Sequence, residues 1–312
     1  MQEVNGNTQR VVSVVIRVRN AAEQLNQCLQ NLKQQILPAK TRLEIIVVDN
    51  ESTDGTDIVA RCNGATVLAI STERFSWGRA LNQGIAATEG DVVLLLSADA
   101  YPADKSWICE MLRPFSDPDA AAVYGRQIPY SNAPVDERVR LYKHFGTDRK
   151  RFDKDNLGIG PTGKGMIVSN ACAAIRRSVW QQTPYDENIE AGEEYPWSYN
   201  IIQQGYAIIY QPFARVYHSH RDRAFKLAWR HMELLKKNLS LSKKRLTGIR
   251  ILRWVASFAK RRLLNCMWPN IPLSVRLKGL VCLPLEIIAF AVVGFCPENH
   301  SLKPKLKLLF WR

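Results

Sequence analysis

Four short apolar runs, each closed by polar residues, mark the N-terminal part of the chain: Val11–Val18, Leu43–Val48, Thr66–Ile70 and Val92–Leu96. Runs of this length, rich in Val, Ile and Leu, are the pattern of strands buried on both faces of a parallel sheet. The segments between them change period. Residues 21–37 place Leu25, Leu29, Leu32 and Ile36 on one face of a helix that Pro38 stops. A second helix is predicted over Trp77–Ala87, ahead of Gly90 and the central strand in DVVLLLSADA, Asp91 to Ala100. The loop Asp49-Asn50-Glu51-Ser52-Thr53-Asp54-Gly55-Thr56 is crowded with acceptor side chains, and Asp54 is placed to cap the helix that follows. Strands alternating with helices of about a dozen residues predict βαβ units and a doubly wound α/β sheet.

In such a sheet, ligands sit at the carboxyl ends of the strands. Asp49 and Asp99 fall there. A carboxylate at the position of Asp99 suits a hard divalent cation carrying a phosphorylated substrate. An Asp capping a helix that starts near Pro102 accounts for it equally well. There is no GxGxxG after the first strand and no GxxxxGK[ST], which disfavours a dinucleotide site and a P-loop. What remains is a sheet edge with two acidic loops. One acid can accept from a base or ribose, and the other can hold a cation on a diphosphate.

Beyond the central strand, Glu193-Glu194 opens a helix continued by Trp197, Asn200 and Ile201. An acidic first turn is favoured by the helix dipole alone. His218 and His220 share a face if Ala214–His220 is a strand. Residues 147–165, with four Gly and many charges, read as a loop, either a solvated one or a lid that excludes water. Arg151 and Lys164 are its phosphate-reaching cations, though no pattern selects them.

Composition changes this picture at the C-terminus. The 46% hydrophobic and 23% charged fractions are those of a globular chain. The seven Cys lack CxxC spacing, which argues against structural zinc or a disulfide framework and fits a reducing cytoplasm. The opening ten residues are polar and read as no signal peptide. The net charge of +14 is concentrated. Residues 221–262 hold fourteen Lys/Arg against two acids and residues 263–312 six against two, which leaves the first 220 near neutral. Residues 224–239 show amphipathic helical spacing. Leu280–Cys296 is apolar but contains Pro284, Glu286 and Gly294. A span needs about 20 apolar residues, and a central acid costs about 2.5–3.5 kcal/mol on insertion scales. The segment therefore reads as an interfacial or buried helix. Basic residues interleaved with Trp and Leu suit an anionic membrane surface. They also suit a nucleic-acid backbone, against which stand the near-neutral body and the lack of a recognisable nucleic-acid-binding motif.

The segments VVSVVIRVRN, EIIVVDNESTDGT and GRALNQGIAATEGDVVLLLSADA resemble the nucleotide-binding half of glycosyltransferase family 2, with its GT-A fold. YGRQIP, SNACAAIRRSVW and YDENIEAGEEYPWSYNIIQQGYAIIYQPFARVYHSH resemble acceptor-side segments of bacterial polysaccharide and rhamnosyltransferase-like members. The resemblance covers about residues 11–235. It implies a GT-A domain over 1–220, with a nucleotide half about 11–100 and an acceptor half about 101–220, followed by a basic, membrane-associating helical extension over 221–312. By the same resemblance Asp49 contacts the nucleotide base, and Asn50, Arg79 and Asn82 line the nucleotide pocket. Asp99 is the last Asp of the DxD-type motif, whose first Asp is here Ser97. Glu194 is the base and Glu193 its neighbour, in place of the family's Glu-Asp pair. His218, in preference to His220, is a late metal or diphosphate ligand. The implied enzyme is an inverting transferase using Mn²⁺ or Mg²⁺. Its implied donor is a dTDP- or UDP-sugar, and its implied acceptor a glycan or polyprenyl-linked glycan. Its implied location is the cytoplasmic face of a membrane. Ser97 and Glu194 depart from the pattern and leave open a carbohydrate- or membrane-binding protein without turnover.

Overall fold

The computed structural model describes residues 10–156, 168–189, 192–219 and 248–295. The chain forms two compact units, Met1–Ile128 with Tyr142–His218, and Pro129–Leu141 with Ser219–Arg312. The first unit begins with β1 (Arg10–Val18), α1 (Ala22–Lys33), β2 (Thr41–Asp49), α2 (Thr56–Cys62), β3 (Thr66–Ala69), α3 (Trp77–Ala86) and β4 (Val92–Ser97). It continues through β5 (Tyr101–Pro102), α4 (Trp107–Leu112) and β6 (Ala120–Ile128). After α5 (Val135–His144), which the division between the units crosses, come β7 (Lys150–Phe152), β8 (Cys172–Arg176), α6 (Arg177–Gln182), α7 (Glu194–Gln203) and β9 (Ala207–Tyr217).

These strands make one mixed sheet in the order β3-β2-β1-β4-β8-β6-β9-β5, with β7 also on β9. β3, β2, β1 and β4 are parallel, β8 runs against them, and β6 and β9 run with them. The double burial expected of the apolar runs follows from helices on both faces. Val12, Val14, Ile16, Leu94 and Leu96 pack with Leu25, Leu29 and Leu32 of α1 and with Trp107 of α4. On the other face α3 comes so close that a Cβ on Gly84 would run into Val15 and lie 3.0 Å from Val48. Ser13, the polar residue inside β1, donates to Glu44 at 2.5 Å and accepts from the Gly90 amide at 3.0 Å, so it is buried with its hydrogen bonds made.

Three local expectations are corrected. α1 ends at Lys33, and Ile36 is exposed instead of joining the buried face. The Ile36 amide donates to Lys105 O at 2.8 Å and the Gln35 side chain donates to Asp104 O at 3.0 Å, which draws the chain out of the helix before Pro38 is reached. No helix starts near Pro102. Tyr101–Pro102 pairs with β9, α4 begins at Trp107 with Ser106 at its N-cap, and Asp99 caps neither. The 147–165 segment is also not all loop. Lys150–Phe152 is a strand on β9, and Arg151 pairs with Asp117, Asp119 and Asp153, which commits it to carboxylates. Lys164 and the rest of the lid segment from 157 lie outside the described residues, as do the 224–239 helix and His220.

At the start of α2, Gly55 takes the N-cap position with φ +84°, and Asp54 sits one residue earlier. Its Oδ1 accepts from the Thr56 amide at 3.1 Å, and its Oδ2 accepts from the Ala22 amide at 3.1 Å, so one carboxylate serves the N-termini of both α2 and α1. Hydrogen bonds from Thr56 and Ala22 hold its carboxyl below the usual range.

In the second unit, the N-terminal part of α5 packs with α8 (Gly248–Cys266) and α9 (Leu273–Phe295). Arg262 pairs with Asp136 at 2.8 Å and Asn265 donates to the same carboxylate at 2.6 Å. Among the described residues, no helix is long and apolar enough to cross a membrane.

The approach of α3 to the sheet yields a direct check. Gly84→Ala places a methyl group against Val15 and Val48, and overpacking of this kind costs about 1–3 kcal/mol. A urea unfolding curve of the variant is expected to show a lower midpoint at unchanged slope, corresponding to that loss of free energy.

Candidate active site

Because β1, β2, β4, β6 and β9 run in one direction, their last residues arrive at one edge of the sheet. The register places Val18 beside Asp49 and Arg17 beside Ser97. β8 runs the other way and pairs Cys172 with Leu96, so the residues entering β8 arrive at the same edge. Gln127 near the end of β6 and His218 just after β9 complete the row.

At its centre are two adjacent carboxyl groups. Glu193 is the N-cap residue of α7 and Glu194 its first helical residue. Glu193 is buried. It receives Arg17 Nη1 at 3.0 Å and Asn170 Nδ2 at 3.0 Å on the same oxygen. Asn170 in turn accepts from the Tyr185 hydroxyl at 3.2 Å, and burial pushes that phenol up so that it stays a donor. The Arg17 guanidinium lies 4.6 Å from the ring centre of Trp77, a cation–π contact on a ring that is itself partly exposed. Among the described residues, Glu194 has no such cation of its own. Burial and then the charge of Glu193 push its carboxyl up to about 7, while Arg17 acts in the opposite direction.

A second group lies at the ends of β4, β6 and β9. Ser169 Oγ accepts from Gln127 Nε2 at 2.7 Å, which turns the Gln127 carbonyl oxygen toward His218 Nδ1 at 2.8 Å. Nδ1 therefore carries the proton. Nε2 faces Asp99, 3.5 Å from Oδ1. His218 is buried, whereas the Asp99 side chain is 44% exposed. A ring nitrogen and a carboxylate oxygen turned toward each other, with the far side of the ring held by an amide carbonyl, are a donor set that fits a divalent cation. Among the described residues, no three His, Cys, Asp or Glu side chains gather into a metal cluster. Were a cation held here, two protein ligands would leave most of its coordination shell to water and substrate, as Mg²⁺ commonly accepts.

The residues expected around a nucleotide are placed less uniformly. Asp49 is buried at the end of β2 and accepts from the Ser52 amide at 3.2 Å and from the Ser52 hydroxyl. Asn50 spends its amide inside the protein, accepting from Arg19 at 3.1 Å and donating to Ile70 O at 3.1 Å, so it fixes the loop. Arg79 and Asn82 grip the segment before α7. Arg79 Nε donates to Glu187 at 2.8 Å. Asn82 donates to Tyr185 O at 2.9 Å and to Glu187 at 3.1 Å, and accepts from Trp180 at 2.9 Å and the Tyr185 amide at 3.1 Å. Hydrogen bonds from Arg79 and Asn82 hold the Glu187 carboxyl below its usual range. Gly78 permits the approach, since a Cβ there would lie 2.5 Å from Asp186 O. Arg17, Gln127, Asn170, Tyr185 and Glu187 were not singled out from the sequence. The available signals were an Arg inside an apolar strand and polar side chains at the edges of strands.

The comparisons agree with this architecture. The family model described as glycosyl transferase family 2 matches residues 13–183. The chain is 35% identical over 183 residues to the O-antigen chain rhamnosyltransferase WbaN of Salmonella anatum, covering 57% of this chain and 56% of that one. It is 32% identical over 216 residues to the O-antigen chain rhamnosyltransferase RfbN of Salmonella typhimurium, covering 67% and 66%. The matched part thus spans between about half and two thirds of these relatives. The fold is shared with a mannosyltransferase from Pyrobaculum calidifontis in complex with GDP-Man and Mn²⁺, at a TM-score of 0.51 and 18% identity over 92% of this chain and 88% of that one. It is also shared with S. aureus TarS residues 1–349 in complex with UDP-GlcNAc, at 0.51 and 15% over 92% and 76%. The shared architecture is the GT-A fold. With a family model matched over more than half its length, the chain belongs to glycosyl transferase family 2.

Proposed function

We propose that this protein transfers a sugar, with inversion, from a nucleoside diphosphate sugar to a glycan or polyprenyl-linked glycan during cell-surface polysaccharide assembly. The observation that carries the reading is the Glu193–Glu194 pair. A carboxyl raised to about 7 is suited to take a proton at neutral pH, and Arg17, Asn170 and Tyr185 hold its neighbour in place. The acceptor hydroxyl oxygen attacks the anomeric carbon as Glu194 accepts its proton. The bond to the diphosphate breaks on the opposite face, and the diphosphate leaves with the electron pair. A Mn²⁺ or Mg²⁺ ion held by Asp99 and His218 would supply positive charge to that leaving group. Asp49 is assigned to the base or ribose. Asn50, Arg79 and Asn82 shape the loops around it.

The names of the two Salmonella relatives favour rhamnose as the sugar, and the donor is assigned as a dTDP- or UDP-sugar. Donor and acceptor chemistry is assigned to the first unit. The basic C-terminal part is assigned to the cytoplasmic face of an anionic membrane, where a polyprenyl-linked acceptor resides.

Release of nucleoside diphosphate from dTDP-rhamnose and from UDP-glucose tests the reading. Below pH 7 Glu194 holds its proton and accepts none. The rate is therefore expected to fall about tenfold per unit on the acid side of a limb near pH 7. Glu194→Gln is expected to lower kcat by about 100- to 10,000-fold with little change in donor KM. Absence of turnover with both donors, or full activity in the Gln variant, would overturn the assignment.

Arg17 supplies a separate check. Its positive charge opposes the upward shift of Glu194, so Arg17→Met is expected to move the acid limb about one unit toward higher pH. Arg17→Lys, which keeps the charge, is expected to restore most of the limb's position.

A further inference from the structure

At its C-terminal end α8 buries Arg262 and Asn265, which both engage Asp136 of α5, together with Cys266. Leu263, Leu264 and Met267 are exposed. The pattern continues across the turn into α9. Leu273, Leu277, Leu280, Val281 and Ile288 follow at helical spacing along one stripe, and they are between 43% (Leu280) and 77% (Val281) exposed. The opposite side of α9 is taken. A Cβ on Gly279 would lie 3.0 Å from Cys266 Sγ and 3.1 Å from Val135 Cγ1, and Leu283 is buried. Leu277 and Val281 stand two residues either side of Gly279 and so point away from that contact.

The charge of the two helices is predominantly positive. α8 contains five Lys/Arg and no acid, and α9 contains two Lys/Arg and Glu286 as its one acid. Arg253, Lys260, Arg261 and Lys278 of these two helices are exposed. A second copy of this chain would bring like charges together. An anionic bilayer would accept both components, the Lys/Arg at its headgroups and the Leu, Val and Met side chains at the acyl boundary. No helix among the described residues is long and apolar enough to cross it.

We propose that the exposed stripe of α9, extended by Leu263, Leu264 and Met267 at the end of α8, is a docking surface that lies flat on an anionic lipid bilayer. This deepens the membrane location given above and depends on that reading only for the acceptor it would bring within reach. The surface itself rests on the burial and charge of α8 and α9.

The test is co-sedimentation of the full chain with phosphatidylcholine vesicles, with and without phosphatidylglycerol. The wild type is expected to bind the anionic vesicles and to be released by salt, because its cations contribute to binding. Leu277→Glu with Val281→Glu, both at exposed positions, is expected to weaken vesicle binding by roughly tenfold or more. Its thermal midpoint and its nucleoside diphosphate release are expected to stay unchanged. A milder pair, Leu277→Ser with Val281→Ser, serves if the acidic pair lowers the midpoint. Vesicle binding that survives these substitutions would overturn the proposal. So would a wild-type dimer that they dissociate, since the stripe would then be covered by a second copy. Vesicle binding without any turnover of sugar nucleotide would leave the surface standing and remove the transferase reading instead.

Discussion

Strands that share a direction share an edge. β1, β2, β4, β6 and β9 all run the same way, and this constraint gathers residues far apart in sequence into one row. Arg17 and Glu193, 176 positions apart, meet at 3.0 Å because one ends a strand and the other starts the helix that arrives at that edge. Gln127 and His218, 91 apart, meet because β6 and β9 are parallel neighbours. The helices on both faces make this edge the place where buried polar groups can converge on a ligand without breaking the apolar core.

Electrostatics then divides two chemically equal carboxyl groups. Glu193 is buried among donors, with Arg17 and Asn170 both on one oxygen. A buried charge of this kind requires such partners. Glu194 is half-buried with no equivalent donor set among the described residues, and the neighbouring charge adds to the cost of ionising it. Its carboxyl is raised for that reason. The cation–π contact of Arg17 with Trp77 draws the start of α3 into the same assembly, next to the Arg79–Glu187 and Asn82–Tyr185 contacts that pin the approach to α7.

Much of this was legible in the sequence where local pattern and buried position agree. β1 to β4, α1 and α3 follow from apolar periodicity, and Asp49, Asp99, Glu193 and Glu194 stand at the element ends that the sequence pattern predicted. The errors occur where a tertiary contact overrides the local signal. Ile36 fits the face of α1, but its amide is taken by Lys105. The charged Lys150–Phe152 segment carries no strand pattern and is made a strand by the free edge of β9. Gln127, Asn170 and Tyr185 were unreadable as site residues because their roles exist only through partners on other strands. Arg17 sat in plain view, as a cation in an otherwise apolar run, and its meaning depended on a residue near position 200. Asn82, expected at a ligand, spends its amide on the protein, a distinction that residue type alone cannot make.

The claim on which the account rests is that this edge binds a nucleoside diphosphate through a cation held at Asp99. Calorimetric titration of UDP and dTDP, each with and without Mn²⁺, on the wild type and on Asp99→Ala tests it most directly. The account predicts binding of one nucleotide that requires Mn²⁺ and is lost in the variant. Equal binding with and without the metal, or binding retained in Asp99→Ala, would contradict it.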